Sequence, residues 1–391
     1  MLDEAAAREL DRLETLDDEG FRLEVRHWIE ANYPRGMVRH PSRRLFWREN
    51  RDWFMALSRQ GWIAPGWPRE HGGMGLAGPR QLIMIEEMER FGAARVNDQG
   101  LVMLGPLLIQ HGSDEQRAFF LPRILSGEHV WAQAYSEPDA GSDLASLRLD
   151  AADRGDHWVL NGQKTWITLG SDANWVFVLA RTNKSGKKQE GISFLLIPTD
   201  SPGLTVRDIT NLDMGREFSE MFFQDVRVPK DMVVGNIDEG WTYAKALLGF
   251  ERIAIGSPKL SSSGLDRLSR LADTMGVSND PEFVAAFTRH RLDLADLKAL
   301  YGSIVAAVKR GEMPSADISV LKIVQTELFQ RITDTMLAIG GGEAGGLHGS
   351  TETGLHTAGQ FMLARPATIF GGSSEILRNI LARGELGMPA R

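Results

Sequence analysis

The chain has 391 residues, more than one hydrophobic core usually organises, so two or three closely packed subdomains are expected. Its 52 acidic residues outnumber its 44 lysines and arginines, and the formal charge of −8 gives no general electrostatic reason to bind nucleic acid or an anionic membrane. Because the sequence contains no cysteine, disulfides, thiolate metal sites and cysteine nucleophiles are excluded.

The beginning of the chain does not resemble a targeting segment. Residues 1–21 are acidic and helical in pattern, without the basic start and apolar core of a secretory signal. No apolar run along the sequence approaches the length needed to span a bilayer. We therefore expect a cytoplasmic protein with no membrane segment.

Helical patterns fill the chain from Leu2 to about Val130. Apolar residues recur three and four positions apart in residues 18–33, 51–60 and 80–92. Residues 61–76 between them are too rich in glycine and proline for the interior of an element, which predicts an ordered loop. These patterns predict an N-terminal α-helical domain over residues 1–130.

A different pattern, of short β-rich runs between turn residues, extends from about Trp131 to Gly235. The runs are HWVLNG, TWITLG, NWVFVLARTN, ISFLLIPT, LTVRDI and EMFFQDVRV. The dipeptide Asn161-Gly162 is typical of a tight β-turn and predicts a hairpin there. The spacing of the turns predicts a central β domain over residues 131–235.

Long helical patterns return after Gly240. They occupy residues 240–260, 282–311 and 315–342, and they predict a C-terminal helical bundle within residues 236–391. Helices, then strands, then helices define an α+β fold class.

One glycine- and serine-containing segment, Ala134–Leu147, has the composition of a binding loop. It combines hydroxyls at Ser136 and Ser142 with pliable backbone at Pro138 and Gly141. Such a loop can offer N–H and O–H donors to an anion or to the polar edge of a ring.

The segment Leu160–Trp175 adds an aromatic residue to this loop. Alternation along a strand predicts that Trp166 and Thr168 lie on the same face, where a flat side chain beside a small hydroxyl could form the wall of a flat aromatic cofactor. On residue types alone a second interpretation stays open, in which Trp166 belongs to the core and the preceding loop is only a turn.

The amino-acid sequences of these segments resemble motifs of the acyl-CoA dehydrogenase family. A GSD follows an EP-x-AG turn, and NGQK-x-WIT comes next; GPLLIQHGSDEQRAFFLPRILSGEH precedes them, and FFQDVRVPKDMVVG and IFGGSSEILRNILAR follow. The resemblance covers almost the whole chain in the family's order. It implies an N-terminal helical domain, a central β domain and a C-terminal four-helix bundle, with FAD in the cleft between them.

The resemblance also implies which residues contact the flavin. Tyr135, Ser136, Trp166 and Thr168 match positions that contact the isoalloxazine ring, and Ser142 matches one that contacts flavin or substrate. In the family the tryptophan flanks the ring and the threonine hydroxyl lies near N5.

A second group of positions implies an oligomer. Gly340, Gly341 and Gly342, together with Ser373, match positions at which a neighbouring subunit helps to hold FAD, and Glu375 lies where the family more often has glutamine near the flavin. The resemblance therefore implies a dimer or a tetramer.

The reaction of this family needs a carboxylate base, because the α C–H of a thioester is weakly acidic and a water-poor pocket raises the basicity of a carboxylate. Many members carry this base in a Tyr-Glu-Gly-Thr motif. Here residues 370–373 read Phe-Gly-Gly-Ser, so Gly371 occupies the glutamate position and cannot be the base. A minority of members, including isovaleryl-CoA and long-chain acyl-CoA dehydrogenases, use a Glu-Arg pair on an inner helix, which Glu251-Arg252 matches.

We therefore expect Glu251 to be the catalytic base, with Ser142, Arg252 and Phe370 contacting the substrate. The apolar neighbours of Glu251 predict a buried helix, in which a carboxylate is costly without a purpose or a partner. A structural role, with Glu251 neutralised by a cation, stays open, although adjacent helical residues such as Arg252 do not face each other. Glu375 is a weaker candidate for the base.

Another difference from the family concerns its Arg-x-x-Phe-Gly motif, which has no clear counterpart in residues 283–302. Some bacterial relatives with this altered region are mixed tetramers of two different subunits, so a related partner chain is an alternative to a homo-oligomer. The nine scattered histidines lack metal-site spacing, and no Gly-x-Gly-x-x-Gly follows a strand, so neither a metal site nor a Rossmann fold is expected.

The leading hypothesis is FAD-dependent α,β-dehydrogenation of an acyl-CoA to the 2-enoyl-CoA, with electrons passed to an electron-transfer flavoprotein. Two alternatives remain open. One is a flavin monooxygenase or desulfinase-like enzyme of the same fold, and the other is a non-catalytic subunit of a mixed tetramer.

Overall fold

The computed structural model describes residues 4–39, 41, 43–97, 99–310, 317–344 and 357–389. The side chains of residues 5, 246, 248–254, 308, 309, 317 and 342–344 lie outside this description. The chain divides into two compact units. The first comprises Met1–Asn211 and Gly215–Leu247, and the second comprises Leu212–Met214 and Leu248–Arg391.

The first unit begins with six α-helices among its described residues. They are α1 (Glu4–Glu14), α2 (Asp18–Asn32), α3 (Trp47–Gln60), α4 (Gly78–Phe91), α5 (Gly105–His111) and α6 (Asp114–Ser126). Local sequence sets several of their ends: Asp17 accepts a hydrogen bond from the Gly20 N–H at the start of α2, and Ser113 caps α6. The predicted helical character of this part is confirmed.

The glycine- and proline-rich stretch at residues 61–76 is an ordered loop, as predicted. Trp62 and Trp67 are buried, and the Trp67 indole N–H donates to the Leu101 carbonyl at 2.8 Å. Leu101 belongs to a π-helical turn, Gln99–Leu104, that leads directly into α5. The loop is therefore fixed by tertiary contacts of its aromatic residues.

Seven strands form one sheet among the described residues of the first unit. They are β1 (Trp131–Ala134), β2 (Asp150–Asp153), β3 (His157–Thr168), β4 (Trp175–Arg181), β5 (Ile192–Pro198), β6 (Leu204–Ile209) and β7 (Phe218–Pro229). The strand order is β1-β4-β2-β3-β7-β6, with β5 also paired to β4. The sheet places β3 between β2 and β7, so the long strand that carries Trp166 is central.

The prediction of a hairpin turn at Asn161-Gly162 is wrong. Both residues lie inside β3, at a bulge where the register with β7 shifts between Leu160 and Gly162. The Asn161 side chain donates to Asp225 Oδ1 and accepts from the Asp225 N–H, each at 2.9 Å. Pairing with β7 on both sides of the dipeptide makes it a bend within one long strand.

The elements described in the second unit are helices. α7 (Gly240–Ile255) begins in the first unit and ends in the second; the others are α8 (Lys259–Met275), α9 (Pro281–Lys309), α10 (Asp317–Ala344), α11 (Thr357–Ala364) and α12 (Ser374–Gly384). α10 packs against α8, α9, α11 and α12. A buried cluster that includes Leu268, Leu297 and Leu328 joins α8, α9 and α10, which confirms the predicted bundle and the α+β class.

Within the described part of the chain, no helix combines the length and the apolar character that crossing a bilayer requires.

Candidate active site

The loop that follows β1 is built around a buried ion pair. The Lys164 side chain on β3 is fully buried, and its Nζ lies 2.8 Å from Oε1 of Glu137 in the loop. The same Nζ donates to the Tyr135 carbonyl at 2.9 Å. Burial lowers the pKa of Lys164 to about 8, while the Glu137 carboxylate acts in the opposite direction and favours the charged lysine.

The Glu137 carboxylate has two further donors, the N–H groups of Arg148 at 2.6 Å and Leu149 at 2.8 Å. These bonds fix both ends of the loop. Sequence reasoning missed Glu137 and Lys164, although Glu137 is the glutamate of the EP-x-AG turn and Lys164 is the lysine of NGQK-x-WIT.

Trp166 lies on the open side of β3. Its side chain is 61% exposed, its ring makes an edge contact with Phe218 at a centroid distance of 6.2 Å, and its φ is 59°, a left-handed value rare outside glycine. The register with β7 shifts between Lys164 and Ile167, so Trp166 sits in a bulge. The interpretation of Trp166 as a core residue is therefore wrong.

The burial of side chains alternates over the last three residues of β3, and a shared face for Trp166 and Thr168 remains a prediction. Ile167 is buried, whereas Trp166 is exposed and Thr168 is half-buried. An exposed aromatic side chain in a strained backbone conformation is unfavourable in a free monomer, and such positions concentrate at functional sites.

The serines of the loop are accessible to different degrees. The Ser136 carbonyl accepts from the Thr165 N–H at 2.9 Å, which ties the loop to β3, and its side chain is half-buried. Ser142 is exposed, and a Cβ built on Gly141 meets no atom within 4 Å, so the backbone beside Ser142 faces open space.

Tyr135 differs from its neighbours because its ring belongs to the core. The ring is 6% exposed and makes edge contacts with Phe177 and Phe194 at 5.9 and 6.3 Å. Tyr135 therefore positions the start of the loop through its packing, and a flavin contact of this residue remains a prediction.

In the second unit, the turn at residues 370–373 is held by a buried lysine. Lys322 on α10 donates from Nζ to the Gly372 carbonyl at 2.8 Å and lies 5.9 Å from the ring centroid of Phe370. Gly371 and Gly372 both have left-handed φ values, 64° and 95°. The turn leads into α12, whose first residues are capped by the Ser373 hydroxyl.

The remaining predicted positions of this unit differ in environment. Glu375 is exposed, and its pKa is lowered because its carboxylate accepts from its own backbone N–H and from Ser373. A carboxylate of low pKa is a weak base, which disfavours Glu375 in that role. Gly340 is buried and Gly341 is exposed, with non-helical angles of φ 50° and ψ −140° inside α10.

The family carries its base either at the position of Glu251 or at the position of Gly371. The side chains of Glu251 and Arg252 lie outside the described residues, so the two positions are compared through the backbone of α7. Glu251 is in α7, four residues before Ile255. A Cβ built on Gly371 would lie 2.8 Å from Ile255 Cδ1. Because residues four apart share a helix face, the Gly371 turn lies against the face of α7 that includes position 251.

No cluster of three or more His, Cys, Asp or Glu side chains suited to a metal ion occurs among the described residues.

Comparison with known families matches three consecutive models along the chain. They are the N-terminal domain of acyl-CoA dehydrogenases at residues 15–128, the middle domain at residues 132–226 and the C-terminal domain at residues 238–386. Acyl-CoA dehydrogenase IpdE1 of Mycobacterium tuberculosis is 36% identical over 385 residues, which span 95% of this chain and 98% of that protein. Acyl-CoA dehydrogenase FadE29 of the same organism is 32% identical, over 85% of this chain and 87% of that protein.

Solved structures give the same result. The Tcur3481-Tcur3483 steroid ACAD superposes with a TM-score of 0.85 at 28% identity, over 96% of this chain and 98% of that one. The ChsE4-ChsE5 complex from Mycobacterium tuberculosis superposes with a TM-score of 0.80 at 28% identity, with the same coverage of 96% and 98%. The chain therefore belongs to the acyl-CoA dehydrogenase family of flavoprotein oxidoreductases.

Proposed function

We propose that the protein is an FAD-dependent enzyme that converts an acyl-CoA thioester to its 2-enoyl-CoA and passes the electrons to an electron-transfer flavoprotein. The observation that carries this proposal is the exposed Trp166 in its strained bulge, next to Thr168 and to the loop that contains Ser136 and Ser142. An aromatic face, a hydroxyl and a donor-rich loop are the groups that a flat, polar-edged ring requires.

The fit to FAD assigns a role to each of these groups. The Trp166 indole would flank the isoalloxazine ring, the Thr168 hydroxyl would donate to its edge, and Ser136 and Ser142 would donate from the loop. When bound, FAD supplies the acceptor for the hydride that leaves the β carbon. In an oligomer, Gly340, Gly341, Ser373 and Glu375 would contribute contacts to the FAD of a neighbouring subunit.

Glu251 is the base in this proposal. It removes the α proton of the thioester, while Arg252, Phe370 and Ser142 contact the substrate. Gly371 offers no carboxylate, its φ of 64° disfavours any side chain, and Ile255 occupies the adjacent space. The apolar surroundings that the sequence predicts for α7 would keep water away from the carboxylate and so raise its basicity.

The substrate class proposed here is supported by the name of one solved relative. One solved relative at 28% identity is named a steroid ACAD. A side-chain thioester of a steroid or another ring-bearing acyl group is therefore our first choice of substrate, ahead of a simple straight chain.

The protein would assemble as a homodimer or homotetramer in the cytoplasm, with domains at residues 1–130, 131–235 and 236–391. A second candidate function, a subunit of a mixed oligomer with a related chain, is favoured by one observation: two solved relatives carry the names of two proteins each, Tcur3481-Tcur3483 and ChsE4-ChsE5. Co-purification with a similar second chain would distinguish it from the homo-oligomer.

An anaerobic titration tests the proposal. The purified protein is mixed with straight-chain, branched, dicarboxylyl and steroid-derived acyl-CoAs, and the absorbance of oxidised flavin is followed. Bleaching by one class is expected, and Glu251→Gln should abolish it, whereas the control Glu385→Gln, at an exposed residue outside the proposed site, should retain it. Bound flavin that no thioester bleaches would contradict the dehydrogenase and favour a monooxygenase or desulfinase-like reaction; absence of flavin would favour the incomplete subunit.

A further inference from the structure

Glu137 and Lys164 connect the two segments of the chain that carry the proposed flavin contacts. Glu137 lies in the loop between Ser136 and Ser142, and Lys164 lies on β3, two residues before Trp166. Neither side chain takes part in the proposed chemistry, and both are buried.

Burying such a pair is unfavourable unless further hydrogen bonds satisfy both charges. Lys164 meets this condition through Glu137 and the Tyr135 carbonyl, and Glu137 meets it through the N–H groups of Arg148 and Leu149. Three of these four bonds are to the backbone. The pair therefore orders the main chain of the loop, which an apolar pair of the same volume would not do.

The bond from Lys164 to Tyr135 sets the direction of the next N–H group. In a planar trans peptide, the Tyr135 carbonyl and the Ser136 N–H point in opposite directions. Because Nζ holds that carbonyl, the Ser136 N–H is turned away from Lys164. The Ser136 carbonyl is fixed as well, by the Thr165 N–H at 2.9 Å, so both peptide groups around Ser136 are set relative to β3.

Lys164 is also the residue at which the bulge of β3 begins. The register with β7 shifts between Lys164 and Ile167, and Trp166 inside this interval has its left-handed φ of 59°. The backbone of Lys164 is thus held where the Trp166 bulge starts, and its side-chain Nζ is held by the loop. Movement of either segment relative to the other would break a hydrogen bond of a buried charge, which is costly.

We infer that Lys164 and Glu137 are positioning residues for the flavin, which hold the Tyr135–Ser142 loop and the Trp166 bulge at one separation. The pair thereby increases the affinity for FAD and fixes the environment of the isoalloxazine ring. The inference rests on the proposed function, because it takes FAD as the cofactor.

The test measures FAD affinity and the visible absorption spectrum of bound flavin in the full-length protein, for Lys164→Met, Glu137→Gln and a control. The control is Lys188→Met, because Lys188 pairs with Asp143, the residue that follows Ser142, at 2.7 Å but is 53% exposed. We expect each buried variant to raise the FAD dissociation constant about tenfold or more and to shift or blur the flavin bands, because a buried charge loses its partner. The control should change the constant by less than about twofold, as exposed pairs contribute little.

A purely structural role gives a different result. A variant that is less heat-stable but keeps wild-type FAD affinity and the wild-type flavin spectrum overturns the inference. If neither single variant folds, the double variant Lys164→Met/Glu137→Gln is measured, since it leaves no unpaired buried charge. Weaker FAD binding with an altered flavin spectrum supports the inference. A wild-type dissociation constant and a wild-type spectrum overturn it. Because FAD binding is measured without acyl-CoA, this failure is distinguishable from a failure of the proposed dehydrogenation.

Discussion

A Cβ on Gly371 would lie 2.8 Å from Cδ1 of Ile255, the last residue of α7. Such a separation is shorter than a van der Waals contact, so any side chain at 371 requires Ile255 to move. Gly371 also has a φ of 64°, which is strained for every other residue type. The turn that carries a glutamate in many relatives is therefore shaped for glycine in this chain.

Gly371→Ala should lower the free energy of unfolding by about 1–2 kcal/mol, mainly from the left-handed backbone, because the Cδ1 methyl of Ile255 is the end of a flexible side chain and can rotate away. Urea unfolding of the variant measures this loss. Gly302→Ala is the matched control, because Gly302 lies on the exposed side of α9 and its Cβ would meet no atom within 4 Å. Exchange of glycine for alanine inside a helix should raise the free energy of unfolding by up to about 1 kcal/mol. Equal changes for the variants at Gly371 and Gly302 would contradict the strain proposed at Gly371.

Glu87 should make the free energy of unfolding of the first unit depend on pH. Its carboxylate is 2% exposed and pairs with Arg22, Arg26 and Arg90 at 2.7–3.1 Å. Burial opposes ionisation, but the hydrogen bonds from Arg26, Arg90 and Arg22 outweigh it and lower the pKa to about 2, from 4.5. Since the folded pKa is the lower one, the stabilisation is present above pH 4.5 and is lost as the pH falls towards 2.

The measurement is urea unfolding of Glu87→Gln and wild type between pH 7 and pH 3. At pH 7 the variant should be less stable by about 3 kcal/mol, because three arginines lose a buried partner, and the difference should shrink as the pH falls through the window. Glu86→Gln serves as the control, since the Glu86 side chain is 54% exposed and pairs with Arg22 at 2.7 Å. A pH-independent difference at Glu87 would argue against this ion-pair network.

Trp166 should contribute to FAD binding and not to the free energy of unfolding. Because its side chain is 61% exposed, Trp166→Ala should change the free energy of unfolding of the apoprotein by no more than about 0.5 kcal/mol. The same variant should bind FAD more weakly, as judged by titration of the apoprotein with FAD. Trp131→Ala is the contrasting variant, because Trp131 is 1% exposed and its truncation should cost about 3–5 kcal/mol. A large loss of stability at Trp166 would indicate a structural role.

Much of the fold was predictable from local patterns. The order of helical and β-rich segments, the α+β class and the family were all inferred from periodicity and motifs, and they are confirmed. Two strands, β1 and β2, were not among the predicted runs, because four residues each are too few to show an alternation. The hairpin at Asn161-Gly162 was predicted wrongly, because its turn propensity was overridden by pairing with β7.

The sequence by itself determined which chemical groups are present: the hydroxyl-rich loop, the tryptophan and threonine two residues apart, and a glycine where many relatives have their base. Only the tertiary structure decided that Trp166 sits exposed in a bulge, that Lys164 pairs with Glu137, and that Gly371 lies against Ile255. The physical reason is that periodicity reports on neighbours along the chain. Strand register, buried ion pairs and close backbone approach depend instead on segments far apart in sequence, which are brought together by burial of the shared core.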